Sequence, residues 1–345
     1  MARIAILGAG GFGISLGVLF NSEGHEVSIW SHRAQAVEML VSEREHKKLL
    51  PGIRIPDDIV ITGDIACAAH KDIVVIATPS KAVRETCKLI APLLDKNTTA
   101  VCISKGLEQE TLKDMYEIMT EELSCHAVIL SGPSHAEEVG RGEVTTVVAA
   151  SKNRKAAEYI QHTLMNNVFR IYVSDDVVGV ELGGSLKNVI ALAAGICDGL
   201  GLGDNAKAAL MTRGLAEIAR LGVAMGGKQE TFAGLSGVGD LIVTCTSMHS
   251  RNRRAGILIG KGATAEQAVE QVGMTVEGIG STKTAYLLAE KMGVEMPITQ
   301  QMYKVIFENK SARDAVKELM GRPGKSESEP TWIGDDKKEY INIQL

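Results

Sequence analysis

The sequence has no large excess of charge of either sign. Its 37 lysines and arginines stand against 42 aspartates and glutamates, which gives a formal net charge of -5 at pH 7 and an isoelectric point of about 6.0. Because a weakly acidic protein has no overall field that attracts polyanions, the composition gives no indication of binding to nucleic acid or to an anionic membrane. An anionic ligand would have to be bound by local groups.

Long apolar runs are lacking as well. No uninterrupted stretch reaches the roughly 18–20 residues that span a bilayer. The first residues show no basic region, long apolar segment or small-residue cleavage site of the kind that export signals carry. We therefore expect a cytoplasmic protein without an integral membrane segment.

Cysteines are few and scattered. The six of them form no CxxC pair, so neither a zinc site nor a secreted disulfide framework is indicated. Nothing else in the sequence has metal-ligand spacing, and we expect no metal. The cysteines are expected to be reduced thiols in the core: Cys67, Cys87, Cys102, Cys125, Cys197 and Cys245.

The first half of the chain alternates between short apolar segments and helical patterns. The apolar segments are at residues 72–77, 99–104, 126–130 and 144–149, and helical patterns between them are at residues 80–94 and 107–123. Near-continuous apolar strands are typical of a sheet that is covered on both faces. The alternation predicts a Rossmann-like, doubly wound and mainly parallel sheet.

The pattern changes after about residue 175, where strand-like runs nearly vanish. Helical patterns follow at residues 181–199, 206–222, 264–272, 281–292 and 299–307. With 345 residues and 45% hydrophobic content the chain can form two buried cores. We predict a dinucleotide-binding domain at residues 1–178 and an all-helical substrate domain at residues 179–320. Residues 321–345 are expected to be a mobile tail, because its first part is rich in glycine, proline, serine and charge.

The most informative motif is at the start of the chain. The apolar run at residues 3–7 leads directly into Gly8-x-Gly10-x-x-Gly13, and a helical pattern and a second strand follow by residue 30. Residues without a Cβ allow a tight turn and close approach to a pyrophosphate, which the helix N-terminus then binds. The motif, within a β-α-β unit of ~30 residues, favours dinucleotide binding over a purely structural glycine turn.

The position after the second strand influences cofactor preference. An acid there would bind the ribose hydroxyls of NAD, but this chain has Ser31, His32 and Arg33. Arg33 can pair with a 2′-phosphate, which favours NADPH or use of both cofactors. The alternative is that Arg33 is a solvated loop residue.

A lysine stands in an otherwise apolar helical segment of the second half. Lys187 and Asn188 follow Gly183-Gly184-Ser185-Leu186, at the expected start of a helix. A partly desolvated ammonium has a lowered pKa and can exchange a proton with a reacting oxygen, whereas a surface lysine is the simpler interpretation. Asp240, at the end of a glycine-rich loop, could orient this lysine or could cap a helix.

The best candidate for a phosphate site is Ser250-Arg251-Asn252 at the start of a predicted helix. Arginine matches phosphate oxygens bidentately, and a helix start adds free N–H donors. The next two arginines, Arg253 and Arg254, are expected to form a solvated basic turn.

Two further groups follow predicted strands, where ligands bind in open α/β sheets. Lys105 follows the strand at residues 99–104 and could lie beside the nicotinamide. His135 follows the next strand and is expected to have a packing or capping role, and the pair Glu137 and Glu138 is expected on a solvated helix face.

Several short sequence blocks, taken in order along the chain, closely resemble one family, the bacterial-type NAD(P)-dependent sn-glycerol-3-phosphate dehydrogenases. The resemblance extends from the first residues to about Phe307. The blocks are the glycine loop and residues 104–106, 131–134, 183–188, 201–215, 237–241, 250–252 and 276–278.

The resemblance implies the reversible reduction of dihydroxyacetone phosphate to sn-glycerol 3-phosphate by NADPH or NADH, which supplies the glycerol backbone of phospholipids. It also implies a homodimer. Lys187 matches the general acid/base. The implied substrate residues are Lys105, Gly132, Ser134, Lys187, Asn188, Asp240, Thr244, Ser250, Arg251 and Asn252. The implied cofactor residues are Gly8, Gly10, Gly11, Phe12, Gly13, His32, Arg33, Lys105, Ala136, Arg251 and Glu277.

The chain departs from the family pattern in two places. The first loop of the family usually has Ser-Trp where this chain has Gly11-Phe12, and the third often has Thr-Phe where this chain has Ser134-His135. Both departures concern cofactor preference and substrate positioning.

Two other functions are compatible with parts of the sequence. A β-hydroxyacid dehydrogenase would have a substrate carboxylate in place of the phosphate, and Arg251 alone does not distinguish the two anions. A non-catalytic NAD(P) sensor would need no proton donor, so the pair of Lys187 and Asp240 argues against it.

Overall fold

The computed structural model describes residues 1–324 and Glu327. Most of the predicted tail at residues 321–345 lies outside these residues. The described chain consists of a sheet with flanking helices followed by an all-helical part, as predicted.

An eight-stranded sheet forms the N-terminal part, with strand order β10-β9-β8-β7-β6-β1-β2-β5. Neighbouring strands are parallel except for β8 and β9. The larger sheet and a separate two-stranded sheet, formed by β3 and β4, have these strands: β1 (Arg3–Leu7), β2 (Glu26–Trp30), β3 (Glu45–His46), β4 (Leu50–Arg54), β5 (Val60–Thr62), β6 (Ile73–Ile76), β7 (Thr99–Cys102), β8 (His126–Ser131), β9 (Thr145–Ala150) and β10 (Phe169–Ser174).

Helices cover both faces of the large sheet, which explains the continuous apolar runs. Ile4 and Ile6 of β1 pack in one apolar cluster, and Ala5 and Leu7 pack in another. Successive side chains of a strand point to opposite faces, so both sets must be apolar. The helices of this part are α1 (Gly11–Ser22), α2 (Ala34–Glu43), α3 (Val83–Ile90), α4 (Met115–Glu122), α5 (Ala136–Gly140) and α6 (Arg154–Leu164).

The C-terminal part packs around one central helix. Its helices are α7 (Val177–Gly199), α8 (Asp204–Ala224), α9 (Gln229–Phe232), α10 (Asp240–Thr246), α11 (Arg251–Gly260), α12 (Ala265–Val272), α13 (Glu277–Met292), α14 (Pro297–Phe307) and α15 (Ala312–Met320). By length and composition α7 could cross a membrane, but 94% of its most apolar window is buried in the fold. It is a core helix.

Helices α7 and α11 are in backbone contact through glycines. A Cβ on Gly195 of α7 would collide with the carbonyl oxygen of Arg253, and one on Gly256 of α11 would collide with that of Leu192. The absence of side chains at these positions lets the two helices approach closely. This contact fixes the first half of α11 relative to the C-terminal half of α7.

The predicted helix at residues 107–123 is largely wrong. Only α4 forms, because the preceding chain makes a turn in which Leu112 has a φ of +62°. The turn is closed by hydrogen bonds between the backbones of Glu108 and Lys113 and of Leu112 and Glu108. Asp114 and Glu117 form a capping box at the start of α4, a pattern that marks the true start in the sequence.

The expected helix start near Lys187 is also wrong. Helix α7 begins at Val177, capped by Asp176, and Lys187 lies in its middle. Gly183 and Gly184 do not interrupt the helix: they leave room for neighbours, since a Cβ on Gly183 would lie 2.5 Å from the carbonyl oxygen of Ser236.

The hairpin of β3 and β4 and the strands β5 and β10 were not predicted from the sequence. The hairpin is short, and its turn lies at residues 47–49. The hairpin strands and β5 are short and give little periodicity, whereas β10 alternates buried Phe169 and Ile171 with exposed Arg170 and Tyr172, a pattern that does indicate a strand.

Glu217 provides a test of the packing between α8 and α14. This buried carboxylate accepts hydrogen bonds from the N–H groups of Ile298 (2.6 Å) and Thr299 (3.1 Å) at the start of α14. Burial raises the pKa of Glu217 to about 7. The Glu217→Ala variant leaves both donors unpaired, and we expect it to lower the free energy of unfolding by about 2–4 kcal/mol. Urea denaturation measures the loss; Glu270→Ala, on an exposed position of α12, is the control. Equal losses in the two variants would contradict this role.

Candidate active site

A cavity of about 830 Å³ lies where the carboxyl ends of the parallel strands meet the helical part. The loops after β1, β2, β6, β7 and β8 all contribute to it, as expected for a ligand site of an open α/β sheet. Every residue predicted to bind substrate or cofactor lines this cavity except Gly132 and Asp240. Those two residues lie directly behind it, in contact with Lys105.

The glycine loop forms one end of the cavity. Gly8 has a φ of +132°, and a Cβ there would lie 2.6 Å from the carbonyl oxygen of Ala77. A Cβ on Gly13 would collide with the carbonyl oxygen of Gly8, so this glycine permits the close packing of α1 on β1. Gly10 faces open space, with no other group within 4 Å of a Cβ placed there. The loop therefore leaves its backbone and the N-terminus of α1 accessible, and this geometry fits a dinucleotide pyrophosphate.

Two lysines share one buried carboxylate at the other end. Lys187 donates to Asp240 Oδ1 and to Thr244 Oγ1, the latter at 2.8 Å. Lys105 donates to Asp240 Oδ2 at 2.7 Å and to the carbonyl oxygen of Gly132 at 2.9 Å. An ammonium has three N–H donors, so each lysine keeps one for a ligand. Asp240 is the first residue of α10 and follows a π-helical turn, so its carboxylate binds the lysines and does not cap the helix.

Burial lowers the pKa of Lys187 despite its pairing with Asp240. Lys187 is only 6% exposed, which excludes the simpler interpretation of a surface lysine. Burial lowers the pKa of the Lys187 ammonium to about 8, although the charge of Asp240 opposes the change. Burial also opposes ionisation of Asp240, but the charges of Lys105 and Lys187 outweigh it and lower the pKa of this carboxyl. Lys187 can therefore gain or lose a proton near neutral pH.

Asparagines connect α7, α11 and α13 beside Lys187. Asn252 Nδ2 donates to Asn188 Oδ1 at 2.9 Å, and Asn252 Oδ1 accepts from the N–H of Gly278 at 2.8 Å. The Nδ2 atom of Asn188 is buried and has no hydrogen-bond partner in the described structure. A buried unpaired donor on the wall of a cavity fits an oxygen-rich ligand.

The predicted phosphate residues lie at the N-terminus of α11. Ser250 caps this helix by accepting from the N–H of Arg253 at 3.2 Å. Arg251 lines the cavity and makes no ion pair within the described residues. Glu277, at the start of α13, is half-buried; burial raises its pKa and the charge of Arg251 opposes the change.

The residues predicted to influence cofactor preference line the cavity at the carboxyl end of β2. His32 and Arg33 are exposed and line the cavity. Ser31 is buried and accepts the N–H of Arg33 through its hydroxyl at 3.3 Å. Ser134 and Ala136 line the wall that follows β8, where the Ser134 hydroxyl donates to Gly132 at 3.0 Å.

Three expectations for nearby charged residues need correction. Arg253 is not a solvated residue, because it pairs with Asp198 at 2.8 Å. Arg254 lines the cavity and has a buried Nε. Glu137 also lines the cavity and pairs with His249 at 3.7 Å. The tertiary contacts of these side chains come from distant parts of the chain.

Several residues that line the cavity were not predicted from the sequence. His46, Lys48 and Leu49 come from the missed hairpin, and residues 273–275 come from the loop before α13. His135 was assigned a packing role, and its Nε2 does lie 3.4 Å from the carbonyl oxygen of Val243. It also lines the cavity, where burial lowers its pKa.

The sequence matches known proteins over most of its length. Family models described as the N-terminus and C-terminus of NAD-dependent glycerol-3-phosphate dehydrogenase match residues 3–157 and 176–317. The chain is 52% identical over 95% of its length to a glycerol-3-phosphate dehydrogenase [NAD(P)+] of Fusobacterium nucleatum, covering 99% of that protein. It is 53% identical over 94% of its length to one of Moorella thermoacetica, covering 98% of it.

The fold agrees with these matches. A crystal structure of glycerol-3-phosphate dehydrogenase from Coxiella burnetii superimposes with a TM-score of 0.90 and 38% identity, over 93% of this chain and 99% of that one. The glycine loop, the large cavity and the buried lysine define a nicotinamide-dependent dehydrogenase. Within that class, the chain belongs to the NAD(P)-dependent glycerol-3-phosphate dehydrogenases.

Proposed function

We propose that this enzyme reduces dihydroxyacetone phosphate to sn-glycerol 3-phosphate, and catalyses the reverse reaction, with Lys187 as the general acid and base. The observation that carries the proposal is the buried Lys187 ammonium, held by Asp240 and Thr244 on the wall of a cavity that also contains Arg251. A phosphorylated ketone needs a proton donor, an anion site and a hydride source, and this cavity has residues suited to each.

The residue roles follow from these contacts. The reduced nicotinamide, when bound, supplies a hydride to C2 of the ketone. Lys187 donates its proton to the C2 oxygen, and in the reverse direction neutral Lys187 accepts the proton of the hydroxyl. Asp240 and Thr244 occupy two of the lysine's donors and thereby direct the third towards the cavity.

The remaining polar residues orient the substrate. Lys105 has one donor free beside Lys187, and the unpaired Nδ2 of Asn188 is suited to a hydroxyl or carbonyl oxygen. The Arg251 guanidinium and the start of α11 bind the phosphate, because charge-assisted donors and free N–H groups favour a dianion there. Residues 1–178 bind the cofactor in this proposal, and residues 179–320 contribute the proton donor and the phosphate site.

We also propose a cellular compartment, a metabolic role and an oligomeric state for the enzyme. We place it in the cytoplasm, where its product serves phospholipid synthesis, and we assign it a homodimeric state. The resemblance to the family supports all three statements, and the six free cysteines are compatible with a reducing compartment. Sedimentation velocity distinguishes monomer from dimer.

Loss of the Lys187 ammonium tests the reaction. We expect Lys187→Met to lower turnover of dihydroxyacetone phosphate by about 10²- to 10⁴-fold while cofactor binding is retained, because only the proton donor is removed. Absorbance of the reduced nicotinamide follows turnover with NADPH and with NADH. Lys88→Met, on an exposed lysine of α3 that pairs with Glu85, is the control.

Two results would contradict the assignment. Wild-type protein that binds nucleotide but oxidises neither cofactor with this substrate would favour a hydroxyacid substrate or a sensor. Full turnover in Lys187→Met would exclude this lysine as the acid.

The pH dependence tests the lowered pKa. Reduction needs the protonated lysine, so kcat/KM for the ketone should fall as pH rises through about 8. Oxidation needs the neutral form, so kcat/KM for sn-glycerol 3-phosphate should rise over the same interval. Asp240→Asn removes the neighbouring negative charge and leaves Lys105, so the midpoint should move to lower pH. An unchanged midpoint in that variant would show that another group controls the profile.

Arg33 provides a test of cofactor preference. If its guanidinium binds the 2′-phosphate, Arg33→Gln should raise KM for NADPH by about tenfold and leave KM for NADH unchanged. Steady-state kinetics with both cofactors measure the ratio. A variant with wild-type KM for NADPH would indicate that Arg33 is solvated in the complex.

A further inference from the structure

Six lysines and arginines line the cavity, and four of them have no ion-pair partner within residues 1–324. Lys105 and Lys187 pair with Asp240. The other four are Arg33, Lys48, Arg251 and Arg254. Because the chain has a net charge of -5, carboxylates are abundant, so this local group of unpaired cations indicates a ligand with several negative charges. Arg33 and Arg251 already have proposed anions, but Lys48 and Arg254 do not.

Lys48 lies next to the glycine loop. It belongs to the turn between β3 and β4, and the following carbonyl oxygen, of Leu49, lies 2.8 Å from a Cβ placed on Gly11. The turn of the hairpin therefore lies against the N-terminus of α1. The Lys48 Nζ in turn lies 3.9 Å from a Cβ placed on Gly273, which belongs to the helical part of the chain.

Arg254 is a second cation beside residues 273–274, in the helical part of the chain. It lies on α11, and its Nη2 contacts Met274 Sδ at 3.9 Å. Its Nε is buried and has no hydrogen-bond partner in the described structure. An unpaired guanidinium N–H at the cavity wall is costly unless an acceptor binds there. Residues 273–274 thus contact both Lys48 and Arg254, which brings two cations from different parts of the chain to one side of the cavity.

We propose that Lys48 and Arg254 together bind the diphosphate of the dinucleotide and so hold the helical part against the nucleotide-binding part. This inference rests on the proposed function. The diphosphate is favoured over the other phosphates by position: a 2′-phosphate belongs at the end of β2 with Arg33, whereas the hairpin turn lies on the N-terminus of α1. Together with the N–H groups at the start of α1, two cations would neutralise the two phosphate charges.

Equilibrium binding to the purified enzyme tests the proposal. Dissociation constants for NADH and NADPH are measured by fluorescence titration for wild type, Lys48→Met, Arg254→Met and the double variant. The single variants should weaken binding of both cofactors by the same factor, about three- to tenfold each. Lys47→Met is the control, because Lys47 is exposed, pairs with Glu43 at 3.0 Å and does not line the cavity. It removes the same charge and should leave both constants unchanged.

Other outcomes would overturn the proposal. Weakening confined to NADPH would assign these cations to the 2′-phosphate. Unchanged cofactor binding with a raised KM for dihydroxyacetone phosphate would assign them to the substrate. Lys48 is exposed, so Lys48→Met should fold normally. If this variant binds both cofactors as tightly as the wild type does, the diphosphate role of Lys48 is excluded. Failure of the proposed function is distinct from these results, since it requires wild-type protein that does not bind cofactor or does not turn over substrate.

Discussion

The buried carboxylate of Asp240 is the interaction on which the rest of the site depends. It lies between two ammonium groups, Lys105 from the loop after β7 and Lys187 from the centre of α7. Without it, two like charges would face each other with little water around them, and burial would favour their neutral forms. With Asp240 present, Lys187 is charged at neutral pH, and its pKa is about 8. Asp240 also links the loop after β7 to helices α7 and α10. The same ion pairs therefore hold Lys187 in position and connect the sheet to the helical part of the chain.

Close packing of helices determines where the anion-binding groups lie. The glycine contact between Gly195 and Gly256 sets α11 against α7, so that Ser250, Arg251 and Asn252 lie near Lys187 and Asn188. Larger side chains at these glycines would separate the helices and move Arg251 away from Lys187. The distance between the residues that we propose to bind the phosphate and to transfer the proton is therefore set by backbone contact, which is more rigid than contact through flexible side chains.

Local charge at the cavity differs from the charge of the whole chain. This acidic chain has four cations without an ion-pair partner among the described residues around a single cavity, where the proposed dinucleotide and phosphorylated ketone would each add negative charge. Several of these cations come from parts of the chain far apart in sequence, including the hairpin turn and α11. Binding of the anions would then stabilise contact between the two parts, and ligand charge would contribute to the geometry of the reactive site.

The sequence by itself determined the local features. The glycine loop, the parallel strands, the core helices and the residue types near Lys187 and Arg251 follow from periodicity and from motifs a few residues long, because their physical causes are local. The tertiary structure alone decided which distant groups meet. In the folded chain Asp240 contacts both Lys105 and Lys187. Lys187 lies in the middle of a helix in which Gly183 and Gly184 leave room for neighbouring groups. Lys48 and Arg254 line the cavity. The turn at Leu112 is stabilised by local hydrogen bonds and was missed although the capping box of Asp114 and Glu117 marks its end, whereas the short hairpin packs against α1 and α5, contacts that no local pattern shows.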